Sequence, residues 1–459
     1  MTAKASTPTS PKVAAKTMEY VILSTPEEDA LSNYFLMLSR FAFDTARDQV
    51  DRQRESRFAT GGSNWASFMA SLSHFAVAEK FYYSLEFYKL SMLKKREARK
   101  ASHDGVLKEL ERVRDIYQHN LGGTDPSWEK KMADLCNQLL DYISIKKDMG
   151  IFYLKLAQND GSLTDWKEVE RQLKEFTDKS KDSMPHPMLK VVKDVLNREL
   201  AVFTDLVQAQ ISISEWDFLP ALLSIHSTNE RLHAWKGIHV LDNQPEHTKG
   251  KIRSKMSLLD TIPLPELYQW MCRVMVILLS KFSFYFEPVL SQHGTVTDMK
   301  TICAKLEIDF IAMVHSALRQ SNLTCVCLIL DTNGLTNFKG SGYHMPESPA
   351  LHLTGLGSFP TMISIPKDFS LQSHRPNIVS FIMGTLSHMG SSISPVYQHD
   401  DKLHTSYLLY QIDTRVVLIG VSSSRKTERD YTAINLLTEI AAHLRLSSVL
   451  AMLRPRNLK

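Results

Sequence analysis

Apolar residues recur at helical spacing as far as about residue 292, and strand-like runs replace them from about residue 297. That change of period predicts an α+β chain, with an N-terminal antiparallel helical bundle followed by a C-terminal α/β sandwich. Two further observations agree. Glycine and proline fall between the apolar stripes, and 459 residues exceed one compact core, so two folded regions are expected, over 26–292 and 297–459.

The bundle starts where Thr25 and Pro26 precede Glu27, Glu28 and Asp29, an acidic first turn, after which Leu31, Tyr34, Phe35, Leu38, Phe41 and Ala42 form one stripe. This first helix is expected to run on into the charged stretch Arg47 to Arg57 until Gly61-Gly62 stops it. Ser63 or Asn64 can cap the next helix, whose stripe of Trp65, Phe68, Met69, Leu72, Phe75 and Ala76 continues through Phe81-Tyr82-Tyr83 towards Leu93. The two helices should pack antiparallel. Further helices are expected at Asp104 to His119, Ser127 to Gln158, Thr164 to Lys179 and His186 to Ser214, and another begins near Ser214. A polar linker, Gly237 to Thr261, then precedes a last long helix, Glu266 to Leu290. Trp270 to Phe286 is the most apolar segment, but Arg273 and Lys281 interrupt it and it is short for a bilayer, so a buried core helix is expected.

In the sandwich, a helix at Ile308 to Leu318 leads into the apolar run Leu323 to Leu330, closed by Asp331-Thr332-Asn333-Gly334, a positive-φ turn signal expected to reverse the chain as a hairpin. Thr361 to Ile365, Ile378 to Met383 and Tyr407 to Gln411 also read as strands. Tyr407 to Gln411 pairs with Arg415 to Val421 across Asp413-Thr414, and Glu428 to Leu446 is a closing helix, with Thr427 as its cap and Asp430 at the third helical position.

Composition narrows the function. With 54 Lys+Arg against 50 Asp+Glu the net charge is +4, which does not suggest a nucleic-acid protein. Met1 to Lys16 lacks the apolar run of a signal peptide, and residues 1–25 read as a disordered tail. Five scattered cysteines (Cys136, Cys272, Cys303, Cys325, Cys327) point to reduced thiols and a cytosolic setting. The basic run Lys94 to Lys100 is read as a solvated helix end, with contact to acidic lipid as the alternative.

Chemical motifs are sparse. Gly340-Ser341-Gly342 lacks the rest of a phosphate-binding loop, and no nucleophile elbow, His-Glu-x-x-His or Cys-x-x-Cys pattern is present. Cys325 and Cys327 share one strand face and could join His344 or His399 at a metal, but two thiols supply only half of the usual ligands, so core packing is preferred and no cofactor or metal is expected. His399-Asp400-Asp401 has acid/base residue types without a nucleophile at fixed spacing; a charged turn is preferred over a hydrolase. Two aromatic clusters stand out: Ser214 to Pro220, with Trp216 and Phe218, and Lys281 to Phe286, with four rings in five positions. Either these rings are surrounded within the bundle or some form a partner surface.

Those two clusters, with His226-Ser227, resemble the subunit-2 family of the KICSTOR complex. Gly61-Gly62-Ser63 with Trp65, Ala78-Glu79-Lys80, Gly340 to Pro346, Asp400-Asp401-Lys402, Ser406-Tyr407-Leu408 and Lys426 to Asp430 also match, in the same order, from about Leu31 to Leu453. The tail to Thr25, the extra Asn64 and the linker depart from the family pattern. The resemblance implies a roadblock (longin-like) sandwich, no catalytic residues, and a scaffold role. It implies partners as well: kaptin, an integrin-alpha FG-GAP-repeat subunit and a large seizure-threshold subunit. Through them the GATOR GTPase-activating complex would be recruited to the lysosomal surface, restraining target-of-rapamycin signalling when amino acids or glucose are scarce. A roadblock module could instead bind a small GTPase of the Rag type directly. Partner-binding candidates are Trp216, Phe218, Lys281, Tyr285, Tyr343, His344, Asp400, Asp401, Lys426 and Arg429.

Overall fold

The computed structural model describes residues 25–58, 63–86, 100–119, 126–158, 163–242, 264–295, 297–298, 301, 306–345, 347–386, 395–423 and 431–454. Helix α1 (Pro26–Ser39) opens on a reciprocal cap, in which Thr25 Oγ1 accepts from Glu28 N at 3.2 Å and Glu28 Oε2 accepts from Thr25 N at 3.3 Å. It does not run on into the charged stretch. Phe41 takes a left-handed conformation (φ 61°), Ala42 N bonds back to Met37 O, and a separate helix α2 (Phe43–Phe58) follows. Phe41 in that conformation costs about 1–2 kcal/mol, and its ring offsets this by packing on Tyr83 at 4.9 Å and on Phe43 at 6.1 Å.

Helix α3 (Ser63–Tyr83) lies antiparallel to α2, since Lys80 near its end reaches Asp44 at the start of α2 at 2.8 Å. It too ends sooner than the stripe suggests: Leu85 is left-handed (φ 56°), and Glu86 N bonds to Phe81 O. Most of the basic run expected beyond it lies outside the described residues. Helices α4 (His103–His119), α5 (Pro126–Ala157), α6 (Trp166–Asp182), α7 (Lys190–Ser214) and α8 (Phe218–Asp242) complete the first part of the bundle. Helix α8 occupies the first residues of the expected polar linker, and residues 243–263 lie outside the described ones.

Helix α9 (Glu266–Tyr285) is buried on nearly every side, as an all-round apolar helix requires. The expected continuation to Leu290 is broken at Phe286, where Pro288 at the second position of the short α10 (Glu287–His293) cannot donate back into the helix. No single helix among the described residues is long and apolar enough to cross a membrane.

The sandwich begins with α11 (Phe310–Gln320) and β1 (Leu323–Leu330). Asn333-Gly334 forms a local turn with Gly334 at φ 74°, but no tight hairpin: the chain wanders through residues 331–360 before returning as β2 (Thr361–Ile365). The expected strand Ile378 to Met383 is instead part of helix α12 (Arg375–Leu386). Buried Ile378, Val379 and Ile382 already have helical spacing, and Pro376 suits a first turn. Strands β3 (Val396–Asp400), β4 (Thr405–Gln411) and β5 (Val416–Ser422) follow, with the β4–β5 hairpin at Asp413-Thr414 as expected. Helices α13 (Tyr431–Leu444) and α14 (Ser447–Leu450) close the chain.

The five strands form one antiparallel sheet in the order β2-β1-β5-β4-β3. Alternation along β1 sends Val326, Leu328 and Leu330 into the core shared with the bundle, and Cys325, Cys327 and Ile329 into a second core under α12. Being covered on both faces explains why the central strands read as unbroken apolar runs. At Gly420 a Cβ would stand 2.7 Å from Leu437, so glycine is what lets α13 approach β5.

The bundle hides a charge pair at its centre. Lys146 and Glu199 are both fully buried, 3.0 Å apart, and Lys146 Nζ also donates to the Tyr83 hydroxyl at 2.9 Å. The Tyr82 and Tyr153 hydroxyls donate to Glu199 Oε1, and Tyr142 donates to Glu79. Burial first, and these carboxylates second, raise the four tyrosines well above their usual range, so they keep their protons and act as donors. Lys146→Met strands the Glu199 charge, and urea denaturation should read a loss of about 3–5 kcal/mol, whereas Lys80→Ala, at an exposed pair, should cost about 0.2–1 kcal/mol. Burial also pushes the Cys136 thiol up to about 12, so thiol labelling near neutral pH should modify Cys136 only after unfolding.

A candidate interaction face beside a buried ionic junction

Helix α7 ends as α1 does, with a bulky residue in the left-handed region. Trp216 (φ 61°) caps it, Asp217 N bonds to Ser212 O at 2.8 Å, and the buried indole stacks on Tyr285 with centroids 4.8 Å apart. On α9, Lys281 and Tyr285 stand one turn apart and converge on Asp413 in the β4–β5 turn. Lys281 Nζ donates to Asp413 Oδ2 at 2.8 Å and Oδ1 at 3.1 Å, Tyr285 donates to Oδ2 at 3.0 Å, and Gln210 of α7 donates to Oδ1 at 2.8 Å. Gln210 Oε1 in turn accepts from Lys281 at 3.1 Å. Every oxygen of the carboxylate is engaged. Burial lowers the Lys281 ammonium below its usual range despite the opposing pull of Asp413, and burial followed by Asp413 raises Tyr285.

Three of the residues expected at a partner surface, Trp216, Lys281 and Tyr285, therefore meet inside the protein, where they join α7 and α9 to the sheet. Trp270 Nε1 donates to Val449 O at 2.9 Å and Arg454 Nε to Ala157 O at 2.7 Å, adding two further ties between bundle and sandwich. Asp413 and Gln210 were not singled out in the sequence, although a lysine inside the most apolar segment does demand a buried anion.

The other aromatic candidates lie at the surface next to this junction. Phe218 opens α8 and packs on Phe282 at 5.2 Å, Phe286 at 5.0 Å and Tyr343 at 5.9 Å. Tyr343 is 45% exposed, its hydroxyl approaches Met345 Sδ at 3.5 Å, and Met345 (63%) and Leu351 (46%) continue the apolar surface. His344 folds over Gly340, where φ is 125° and an added Cβ would stand 2.8 Å from His344 Nε2, so a larger residue would be strained there. A hollow of about 180 Å³ lies between residues 216–220 and this loop. The structure thus brings Trp216, Phe218, Tyr343 and His344 together, with Met345 and Leu351 as neighbours that motif reading passed over. Clustered, half-exposed large side chains of this kind are suited to protein contact.

Asp400 and Asp401 are elsewhere, at the end of edge strand β3. Asp400 accepts from Lys402 N at 2.8 Å, from Leu403 N at 3.2 Å and from Asn377, so it organises a turn. His399 Nδ1 lies 2.9 Å from Ser406 Oγ, and its Nε2 lies 3.5 Å from exposed Asp401. The trio has the residue types of a hydrolytic triad, yet Ser406 is fully buried and holds His399 and Tyr397 rather than facing a substrate. Lys426 and Arg429 lie outside the described residues. Cys325 and Cys327 face α12, with Cys325 Sγ 3.4 Å from Ser364 Oγ, and no group of three metal-ligating side chains occurs among the described residues.

Removing Lys281 should cost far more than removing a neighbour at the surface. Lys281→Met leaves the Asp413 charge buried and should cost about 3–5 kcal/mol in urea denaturation; Tyr285→Phe, losing one hydrogen bond to a charged acceptor, should cost about 1.5–3 kcal/mol. Tyr343→Asp should stay within about 0.5 kcal/mol of the parent.

The family model described as KICSTOR complex C12orf66 like matches residues 23–457. A protein of Danio rerio named KICSTOR subunit 2 is 29% identical over 437 residues, covering 94% of this chain and 96% of its own length. Its Xenopus laevis counterpart, of the same name, is also 29% identical over 437 residues, covering 94% of this chain and 97% of itself. Matched almost from end to end, the chain belongs to the KICSTOR complex C12orf66-like family.

Proposed function

We propose that the chain is a non-enzymatic scaffold subunit of a KICSTOR-type complex, acting through contact area rather than turnover. The family match across residues 23–457 carries this reading, because the relatives that align with the chain over nearly their whole length are named as subunits of the KICSTOR complex. On this reading the chain assembles with kaptin, the integrin-alpha FG-GAP-repeat subunit and the large seizure-threshold subunit. The assembly, cytoplasmic and peripheral at the lysosome, recruits the GATOR complex and restrains target-of-rapamycin signalling when amino acids or glucose are scarce.

The face around Phe218, Tyr343, Met345 and Leu351 is the docking surface we assign to a partner subunit, since half-buried Phe218 is held by Phe282 and Phe286 and supports Tyr343, while Tyr343, Met345 and Leu351 are exposed. Residues 26–292 act as the bundle and 297–459 as a roadblock-like domain, a reading supported by the five-stranded antiparallel sheet with helices on both faces. The same sheet favours direct contact with a Rag-type GTPase as a second reading. Co-expression with the other three subunits tests both. The parent chain should co-purify with them, and Tyr343→Asp combined with Met345→Asp should reduce recovery at least about tenfold while leaving the denaturation midpoint unchanged. A chain that purifies alone would overturn the scaffold reading, and stoichiometric capture of a Rag-type GTPase in place of the subunits would favour the second.

A further inference from the structure

We propose, resting on the docking face assigned above, that the hollow beside Tyr343 receives an arginine side chain of the protein that docks there, with Asp217 as its counter-ion. The hollow measures about 180 Å³ and lies between residues 216–220 and the loop 337–344. A small-molecule site usually offers about 300–1,000 Å³, so this one suits a single side chain carried in by a larger partner.

Asp217 decides the charge of that side chain. It is half-buried in the wall, and its carboxylate takes no hydrogen bond and no ion pair among the described residues. The nearby Asp413 is the contrast, with Lys281, Gln210 and Tyr285 all donating to it. Burial raises the Asp217 carboxyl above its usual range, Lys339 offsets this in part, and Glu215 adds to it. Both neighbours are occupied elsewhere: Lys339 Nζ donates to Met345 O at 3.3 Å, and Glu215 pairs with Lys167 at 2.8 Å. The ionised form of Asp217 therefore lacks a close partner, and a cation brought into the hollow would supply one.

The rest of the wall favours arginine over lysine. Phe218, Leu219 and Pro220 offer apolar surface to an aliphatic stem. A guanidinium is more weakly hydrated than an ammonium, packs flat against rings and meets both oxygens of a carboxylate at once, and both Asp217 oxygens are uncommitted. Phe218 is held by Phe282 at 5.2 Å and Phe286 at 5.0 Å, so this side of the hollow is formed before a partner arrives, which limits the entropy lost on docking. Arginine is enriched among the residues that dominate binding energy, and it acts there within a surround of apolar contacts that exclude water. Tyr343, Met345 and Leu351 supply such a surround.

Co-expression of the full chain with the other three subunits tests the site. Asp217→Asn removes the charge and keeps the shape, and it should weaken capture of the docked subunit at least about tenfold at an unchanged denaturation midpoint. Phenylglyoxal labelling of the purified assembly, read by mass spectrometry, should find a partner arginine that is protected in the parent assembly and reactive in the one formed by Asp217→Asn. Asn337→Arg, a change at the exposed rim, gives the hollow a guanidinium from the chain itself. It should weaken capture as well, and it keeps the test open if Asp217→Asn folds poorly. Capture that both variants leave unchanged would overturn the proposal, while the docking face would still stand if Tyr343→Asp with Met345→Asp abolished capture. A parent assembly in which every partner arginine reacts would overturn it too. A parent chain that captures no subunit would overturn the scaffold reading itself, and this proposal with it.

Discussion

Lys281 and Asp413 have to find each other for this chain to close. The lysine sits in an apolar helix and the aspartate in a turn between two apolar strands, and both are buried. Against a well-packed apolar pair, such a contact gives little net stability, because desolvating two charges costs about what their attraction returns. Its value lies in selection among alternatives. An apolar helix can slide or rotate against an apolar sheet at small cost, but each wrong placement here leaves an unpaired ion in the interior. Gln210 and Tyr285 sharpen the choice, since each also needs the same carboxylate. Lys146 and Glu199 impose the same condition within the bundle, with tyrosines in place of glutamine.

This division between inside and outside sorts the aromatic residues as well. Trp216 and Tyr285 stack within the junction, and Phe282 and Phe286 form the layer above them. Phe218 and Tyr343 then emerge at the surface on that rigid support. One continuous stack of rings therefore leads from the ionic junction to the exposed face, which makes the face a firm surface rather than a loose loop.

Much of the fold was legible because its signals are local. The acidic first turn at Glu27 to Asp29, the stripe of α7 and the β4–β5 hairpin around Asp413-Thr414 can each be read from a dozen residues. What escaped depends on distance. Ile378, Val379 and Ile382 suit either a strand or a helix, and the uncovered face of the sheet decides between them. Asn333-Gly334 makes its turn, yet the partner strand comes only after a long excursion. Of the candidate site, the aromatic clusters were visible and their sorting was not. Nothing near Asp413 distinguishes it from the many aspartates of exposed turns. Its role exists only once α9 lies across it.

Phe41, Leu85 and Trp216 end their helices in a conformation that usually belongs to glycine, which is why no glycine marked those boundaries. A glycine corner is a neutral joint: it can be lengthened, replaced or bent while the packing around it stays the same. Here the corner and the wedge are one residue, because the side chain that suffers the strained backbone also fills the core beneath it. Backbone relief by glycine would empty the interior, and an insertion would lift the ring out of its seat. Change over evolutionary time should therefore gather between these corners rather than at them, so that the helices vary in surface and length while the angles at which they turn are inherited as fixed points.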